Sequence, residues 1–165
     1  MDKTKPWFEE IVLPALLRHA RSTYGAAMRR ALAEAGYDDI PKNGLYVIGG
    51  LAMDGGGIPL GQLIEELRIS KQAAGQLVDT LVARDYLERA ADPEDRRKLT
   101  ISLTERGRDA AATQAEAREK IDAELVTRVG QENINSARRT LAALVDMGFE
   151  RERQNDKTLG PQTLA

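Results

Sequence analysis

The chain has 165 residues, a formal net charge of −2 and a sequence pI near 5.6. It contains no cysteine, which excludes disulfides, cysteine-ligated zinc and thiol-based sensing. The longest apolar run, residues 11–17, includes a proline and is too short to span a membrane. We therefore expect one cytoplasmic domain, with or without an appended interface, and no membrane span or signal peptide. Abundant alanine and an aromatic content of only 4% predict a mostly helical protein with an aliphatic core.

Apolar residues recur at helical spacing from Trp7 to about Gly36, which predicts a first helix. Pro14 either kinks this helix or lies in the first turn of a helix that follows a short separate one. His19 is the single histidine of the chain and lies near the apolar face of this helix. A lone histidine there is more often a packed or interface residue than a ligand-binding one. The chain has no second histidine that could share a metal ion with it. The sequence therefore indicates no metal site and no cofactor.

A second helix is predicted over residues 44–53, and a glycine-rich turn over residues 54–57 follows it. Glycines of this kind can cradle a phosphate, but here no strand–loop–helix spacing and no Gly-Lys-Ser/Thr sequence accompany them. The sequence therefore does not favour a nucleotide site at this turn.

Two closely spaced helices come next, over residues 62–67 and 71–84, and Ser70 is a suitable N-cap for the second. The inward positions of the second helix are apolar. Its outer face carries Lys71, Gln72, Gly75, Gln76 and Asp79. Lysine and glutamine can reach base edges and phosphates, and a glycine lets a partner approach the backbone. The pattern fits a helix-turn-helix, although two ordinary packed helices with solvated polar side chains would share it.

A hairpin follows, because residues 86–90 and 99–103 alternate like strands. The connection between them contains Pro93, which favours a turn, and then three cations in a row. These cations are Arg96, Arg97 and Lys98. The sequence thus predicts a basic wing beside the helix-turn-helix. The cationic tip would concentrate positive charge locally on an otherwise acidic protein.

Two long helices are predicted over residues 105–129 and 132–153, with Thr104 as N-cap of the first and Gly130 as the break between them. The polar tail over residues 154–165 is expected to be disordered. The first helix and these last two each retain an apolar face after the central module is complete. A monomer could fold these faces onto itself, but a dimer interface explains them more economically.

The central stretch, residues 60–107, resembles the MarR (multiple antibiotic resistance regulator) family of bacterial transcription factors. The resemblance depends on three motifs, namely Leu77-Val78-Asp79 with Leu81, Asp92-Pro93-x-Asp95-Arg96-Arg97, and Leu103-Thr104-x-x-Gly107. It implies a winged helix-turn-helix with a very short first strand at Ile58-Pro59 that pairs with the hairpin. Family members usually have glycine where Asp85 stands, at a position that often needs a left-handed backbone.

The resemblance also implies roles for the wing, in which Arg97 enters the minor groove and Asp95 holds it in place. A narrow minor groove has enhanced negative potential, which favours an arginine there. A surface ion pair that stiffens the turn is the alternative role for these two residues. The candidate DNA-binding residues are Ser70, Lys71, Gln72, Gly75, Gln76, Asp95, Arg96, Arg97 and Lys98.

The expected fold class is α+β, mostly α with a small β hairpin, in which terminal dimerisation helices flank a winged helix-turn-helix. The expected divisions are residues 1–36 (N-terminal dimerisation helix), 42–107 (DNA-binding module), 108–153 (C-terminal dimerisation helices) and 154–165 (tail). By resemblance, the chain is a homodimeric, sequence-specific regulator, a repressor rather than an activator. It would bind double-stranded, pseudo-palindromic DNA with half-sites about 10 bp apart.

A small phenolic or anionic effector is also implied by the resemblance, as a ligand that releases the protein from DNA. The sequence does not identify its pocket residues. Two other function classes fit the sequence less well. A winged-helix protein-interaction module without DNA binding is favoured by the acidic pI and disfavoured by the cationic wing. An enzyme is not expected, because no paired carboxylates, cysteine nucleophile or partnered histidine stand out.

Overall fold

The computed structural model describes residues 6–54, 57–67, 69–91 and 99–158. The chain divides into two compact units, Met1–Lys120 and Ile121–Ala165. The first contains a 3-10 helix (Trp7–Glu10), α1 (Leu13–Glu34), α2 (Gly44–Asp54), β1 (Ile58–Pro59), α3 (Leu60–Glu66), α4 (Lys71–Ala83), β2 (Leu87–Ala91), β3 (Leu99–Leu103) and the start of α5 (Glu105–Val129). The second contains the end of α5 and α6 (Gln131–Thr158). The expected α+β class is confirmed.

None of the described helices combines the length and the apolar character that crossing a bilayer needs.

The N-terminal helical region consists of a short helix followed by a separate long one, which is one of the two arrangements that Pro14 predicted. The 3-10 helix ends at Glu10, and Pro14 occupies the first turn of α1. A proline fits there because the first-turn amides have no acceptor within the helix. Gly36 ends the helical run with a left-handed φ of +85°, which lets the Tyr37 amide donate to the Leu32 carbonyl at 2.8 Å.

The three strands form one antiparallel sheet in the order β1-β3-β2. Ile58 of β1 lies opposite Ile101 of β3, and Leu87 of β2 lies opposite Leu103. All four of these side chains are buried, so the register places one apolar face of the sheet against the helices. The implied pairing of Ile58-Pro59 with the hairpin is therefore confirmed. The strand expected over residues 86–90 begins one residue later, at Leu87.

The core of the first unit is aliphatic, as the composition predicts. It combines buried residues of α2, α4, the sheet and the early part of α5, together with the ring of Tyr86. The central members are Leu45, Ile48, Val78, Leu81, Ile101 and Ala110. The start of α5 belongs to this core, so the compact unit continues past residue 107 to Lys120. The expected division into a DNA-binding module and dimerisation helices assigns functional roles to these regions, and it stays a prediction.

The second unit corrects the expectation for the C-terminal tail. α6 continues to Thr158, so the prediction that residues 154–165 are disordered is wrong for residues 154–158. Polarity alone does not disfavour a helix, and Gln154 and Lys157 within this range are good helix formers. The first strong helix breakers come later, at Gly160 and Pro161. Residues 159–165 lie outside the described residues.

Candidate nucleic-acid interface

The helix proposed to read DNA, α4, begins at a side-chain cap. The Ser70 hydroxyl oxygen accepts a hydrogen bond from the Ala73 amide at 3.2 Å. This contact satisfies one of the amides that a helix N-terminus leaves free, and it fixes where the first turn of α4 starts. The predicted N-cap is confirmed, and it places Lys71 and Gln72 on the exposed first turn.

The two faces of α4 differ in the way the sequence predicted. Ala74, Val78 and Leu81 are fully buried. The opposite face carries the exposed side chains Lys71, Gln72, Gln76 and Asp79 together with half-buried Gly75. A Cβ added at Gly75 would meet no atom of the described residues within 4 Å, so these residues leave the backbone there open to a partner. The candidate residues of α4 therefore lie together on one solvent-facing surface.

An ion pair between α4 and the wing was not foreseen. The Arg89 guanidinium of β2 donates to the Asp79 carboxylate of α4. The pair lies at the surface and contributes little to stability by itself. Its main effect is electrostatic, because it neutralises the one acid of the exposed α4 face. A phosphate approaching this surface therefore meets less repulsion than the sequence of α4 suggests.

The wing is described only as far as its strands. Ala91 of β2 pairs with Leu99 of β3, and these are the last residues described on either side of the connection. The candidate residues Asp95, Arg96, Arg97 and Lys98 lie outside the described residues. Their assignment to DNA contact remains an expectation from the sequence and the resemblance.

The C-terminal end of α4 is closed by hydrogen bonds around a left-handed residue. Asp85 has a φ of +60°, the conformation expected at this position in place of glycine. The Asp85 amide donates to the Val82 carbonyl at 3.0 Å, and the Tyr86 amide donates to the Leu81 carbonyl at 2.9 Å. This closure turns the chain directly from α4 into β2 and places the Tyr86 side chain in the core.

Tyr86 is the centre of a polar cluster that sequence reasoning missed. Its hydroxyl donates to the Asp39 carboxylate and accepts from the Arg106 guanidinium at 2.9 Å. Arg106 also donates to Asp39 at 3.2 Å and lies 4.7 Å from the centre of the Tyr86 ring. In addition, Arg84 donates to the Asp39 backbone carbonyl. The cluster therefore joins the α1–α2 connection, the end of α4 and the start of α5.

The cluster changes two acidities in opposite directions. Burial raises the pKa of the Tyr86 hydroxyl to about 12, and the hydrogen bond to Asp39 acts in the same direction. The Tyr86 hydrogen bond also holds the pKa of the Asp39 carboxyl below its usual value, with a further contribution from the Arg106 charge. Both shifts favour the neutral tyrosine beside the ionised aspartate at neutral pH.

These shifts predict an alkaline transition that depends on Tyr86. A tyrosine whose pKa is raised by folding stabilises the fold fully below its unfolded pKa of about 10. That contribution is lost as the pH rises through about 12. We expect one tyrosine to ionise late in an ultraviolet titration, and Tyr86→Phe to remove this late step. The control Tyr46→Phe on α2 should keep it. A titration curve that Tyr86→Phe leaves unchanged in its final step would refute the assignment.

A cavity of about 480 Å³ lies between α1, α2 and the early part of α5. Gln114 of α5 lines it and is only 4% exposed. Its side-chain amide nitrogen has no hydrogen-bond partner among the residues that the structure describes. Tyr24, Met28 and Arg118 also line this cavity. An unpaired buried donor of this kind costs about 1–3 kcal/mol, which an acceptor group on a ligand or a water would relieve.

His19 does not contribute to this cavity. It is exposed on α1, and it is absent from the linings of the cavities with volumes between 240 and 480 Å³ that the described residues form. The possible ligand role of His19 therefore has no support from its position. Gln114 was not a candidate in the sequence, since a glutamine within an alanine-rich helical stripe carries no signal of burial.

Comparison with known proteins gives a family match and a shared fold. Residues 39–98 match the model described as the MarR family. MepR from Staphylococcus aureus in its DNA-binding conformation is 17% identical, with a TM-score of 0.68 over 83% of this chain and 98% of that chain. Wild-type MarR from Escherichia coli is 18% identical, with a TM-score of 0.61 over 81% and 96%. A protein from Mycobacterium tuberculosis is 26% identical, with a TM-score of 0.64 over 87% and 96%. No curated protein sequence matches the chain.

The matched segment contains α2, β1, α3, α4 and β2, which are the elements that build the helix-turn-helix and one side of the wing. The motifs that suggested the family lie within this segment and in its continuation to Gly107. Residues 39–98 therefore match the MarR family, and the described fold is a MarR-like winged helix.

Proposed function

We propose that the protein is a homodimeric, sequence-specific DNA-binding repressor. The observation that carries this proposal is the two-faced α4, in which three fully buried side chains hold the helix and Lys71, Gln72 and Gln76 point outward. Glutamine can bond two groups on an adenine edge, and lysine can contact guanine or phosphate. MepR, which has a similar fold, has been captured in a DNA-binding conformation. In the proposed complex α4 enters the major groove and Arg97 of the wing enters the minor groove.

Dimerisation is supported by exposed apolar side chains at both ends of the chain. At the N-terminus, Trp7 is 65% exposed and Val12 is 69% exposed. On α6, Leu141, Leu144 and Val145 are 40–54% exposed although they share one face of the helix. Contiguous exposed apolar surface is unusual in a monomer and typical of an interface. Two-fold symmetry would present two copies of α4 to a pseudo-palindromic site.

Control by a small molecule is supported by the cavity that Gln114 lines. The proposed effector carries a hydrogen-bond acceptor for the Gln114 amide and an apolar body. It reduces DNA affinity only if it binds the DNA-free arrangement more tightly than the DNA-bound one. Such an effector acts by shifting the population of dimers away from the spacing that fits the operator.

The experiment that tests the proposal is a titration of the purified protein against DNA from upstream of its own gene, with random DNA of equal length alongside. We expect selective binding that weakens steeply with salt, since log K should fall by about 0.9 per phosphate contact for each unit of log salt. Selective binding at moderate salt would support the repressor. Absence of binding to either DNA at low salt would favour a winged-helix protein-interaction module, which the acidic pI also allows.

Gln76 gives the sharpest test of base reading. We expect Gln76→Ala to lose about 1–3 kcal/mol of discrimination at one base position of each half-site, because a glutamine–base contact would be removed. The measurement is binding to a set of operators that vary at single positions. Gln131→Ala, which removes a glutamine from the start of α6, serves as the matched control. A uniform loss of affinity across all operators would show that Gln76 positions the protein on phosphate and does not read a base.

A further inference from the structure

The hydroxyl of Tyr86 lies near the end of α4 and connects two segments that are distant from it in the sequence. It donates to the Asp39 carboxylate in the connection between α1 and α2, and it accepts from the Arg106 guanidinium in the first turn of α5 at 2.9 Å. Arg84, the C-cap residue of α4, donates to the Asp39 backbone carbonyl. The C-terminal end of α4 is therefore attached to both neighbouring segments through polar contacts. We refer to Tyr86, Asp39, Arg84 and Arg106 as the Tyr86 cluster.

Two aromatic rings hold the Arg106 side chain in place. Its guanidinium carbon lies 4.7 Å from the centre of the Tyr86 ring and 5.5 Å from the centre of the Tyr37 ring. The two rings contact each other edge to face, with their centres 6.2 Å apart. A guanidinium that already lies against two rings loses less freedom when it bonds to Asp39 and to the Tyr86 hydroxyl. The Tyr86 cluster is thus a fixed joint at the end of α4.

The ring of Tyr86 and its hydroxyl have different effects on the fold. The ring is fully buried, so a phenylalanine would keep the apolar contacts that it makes with the core. The Arg106 and Asp39 side chains are 38% and 41% exposed, and an ion pair that water reaches contributes little to stability. Apolar burial has no preferred direction, whereas hydrogen bonds do. The buried face of α4 therefore determines which side of the helix faces inward, and the hydroxyl determines the angle at which the helix lies.

A small change at this end of α4 becomes large at the other end. The helix has 13 residues, so at roughly 1.5 Å per residue it is about 20 Å long. A tilt of roughly 5° about its C-terminal end would move Lys71 and Gln72 by about 1.7 Å. Contacts to base edges tolerate less than this, because hydrogen-bond lengths vary over a range of only about 0.5 Å. Base reading at the first turn of α4 therefore depends on how firmly its last turn is held.

We propose that the Tyr86 hydroxyl is a positioning group for DNA recognition, which fixes the tilt of α4 through Asp39 and Arg106 and thereby the half-site separation that the protein selects. In the proposed two-fold dimer any error in this tilt occurs in both copies of α4, so the mismatch with the operator is doubled. The inference rests on the proposed DNA binding. It adds a specificity determinant at the opposite end of α4 from Lys71 and Gln72.

The test compares Tyr86→Phe with the parent on the operator, on operators whose half-sites lie one base pair closer or farther apart, and on random DNA. We expect Tyr86→Phe to lose about fivefold to fiftyfold in operator affinity, the range for one lost base contact, and to prefer the natural spacing less. Its affinity for random DNA should stay that of the parent, because phosphate contacts do not require the exact tilt. Tyr46→Phe removes a hydroxyl from α2 of the same unit and should match the parent on every DNA.

Asp39→Asn, alone and combined with Tyr86→Phe, shows whether the hydroxyl acts through the Tyr86 cluster. The asparagine keeps the size of the side chain and removes its charge. If both groups act through one network, the double variant should lose no more operator selectivity than the more affected single variant. Losses that multiply in the double variant would mean that the two groups act independently, which would overturn the shared positioning role.

Amide hydrogen exchange without DNA tests the joint independently of the repressor proposal. We expect the α4 amides to exchange about tenfold faster in Tyr86→Phe than in Tyr46→Phe, because the last turn of the helix opens more readily. A spacing preference in Tyr86→Phe equal to that of the parent overturns the inference, even if the melting temperature falls. A parent protein that does not prefer the operator to random DNA overturns the repressor proposal instead. In that case exchange alone decides, and α4 exchange that Tyr86→Phe leaves unchanged overturns the joint as well.

Discussion

Gly107→Ala should be among the most destabilising single substitutions in the first compact unit, with an expected loss of about 2–4 kcal/mol in the free energy of unfolding. A Cβ at this position would lie 2.1 Å from the backbone carbonyl oxygen of Tyr86 and 3.1 Å from a methyl carbon of Leu103. The contact with Tyr86 is to backbone, so no side-chain rotation relieves it. The first turn of α5 would have to move away from the start of β2.

Such a movement would break contacts that hold this crossing together. The Thr104 amide donates to the Tyr86 carbonyl at 3.2 Å, and the Thr104 hydroxyl accepts from the Gly107 amide at 3.0 Å. Displacing α5 also pulls Arg106 from the Tyr86 hydroxyl. Urea unfolding measures the loss. The matched control is Gly50→Ala in α2, where an added Cβ meets nothing within 4 Å. It should change stability little or raise it by about 0.5–1 kcal/mol. Equal midpoints for the two variants would contradict this explanation of Gly107.

Local signals predicted the elements of the fold well, because each signal acts within a few residues. Thr104 caps α5 and Gly130 ends the helical run with a φ of +81°, so the predicted bounds 105–129 are those observed. Ser70 likewise fixed the start of α4. Apolar periodicity then determined which face of α4 is buried. The least accurate boundary was the end of α6, where polarity was taken as a sign of disorder.

The contacts that orient these elements were not predictable, because they join residues far apart in the sequence. The Tyr86 hydroxyl meets Asp39 across 47 positions, and Arg106 reaches Asp39 across 67. No periodic pattern marks such a pair. Gly107 belonged to a motif, but its physical reason, close approach to the Tyr86 carbonyl, required the fold. The burial of Gln114 was not predictable for the same reason, since burial of a polar residue depends on which helices pack around it.

The candidate DNA surface was predictable in its residues but not in its charge. The sequence placed Asp79 on the outer face of α4, where it would repel phosphate. Periodicity alone did not indicate Arg89 as its partner, although Arg89 lies two residues after buried Leu87 and so on the same face of β2. Their ion pair removes much of the repulsion and joins α4 to the wing strand. An acidic protein can therefore present a surface suited to an anion, because charges cancel locally and not only over the whole chain.

Leu141→Glu is expected to dissociate the proposed dimer and to lower operator affinity by at least a hundredfold. Leu141 is 40% exposed on α6, and Leu144 and Val145 extend the same apolar face. A glutamate in the centre of such an interface would be desolvated without a partner, at a cost of several kcal/mol for each copy. A two-fold interface carries the substitution twice, so the two costs add. The monomer that remains would present only one α4 and lose the gain from simultaneous binding to two half-sites.

The matched control is Ala143→Glu, which introduces the same charge on α6 two residues away. Ala143 is exposed and lies on the opposite side of the helix from the face formed by Leu141, Leu144 and Val145. Glutamate is a good helix former at either position, so α6 itself should persist in both variants. Sedimentation equilibrium measures the association, and helical circular dichroism checks the fold. If Leu141→Glu stayed dimeric, the α6 face would not be the interface. If both variants dissociated, general charge repulsion would explain the result better than burial of this face, because the two substitutions share their charge and differ only in direction.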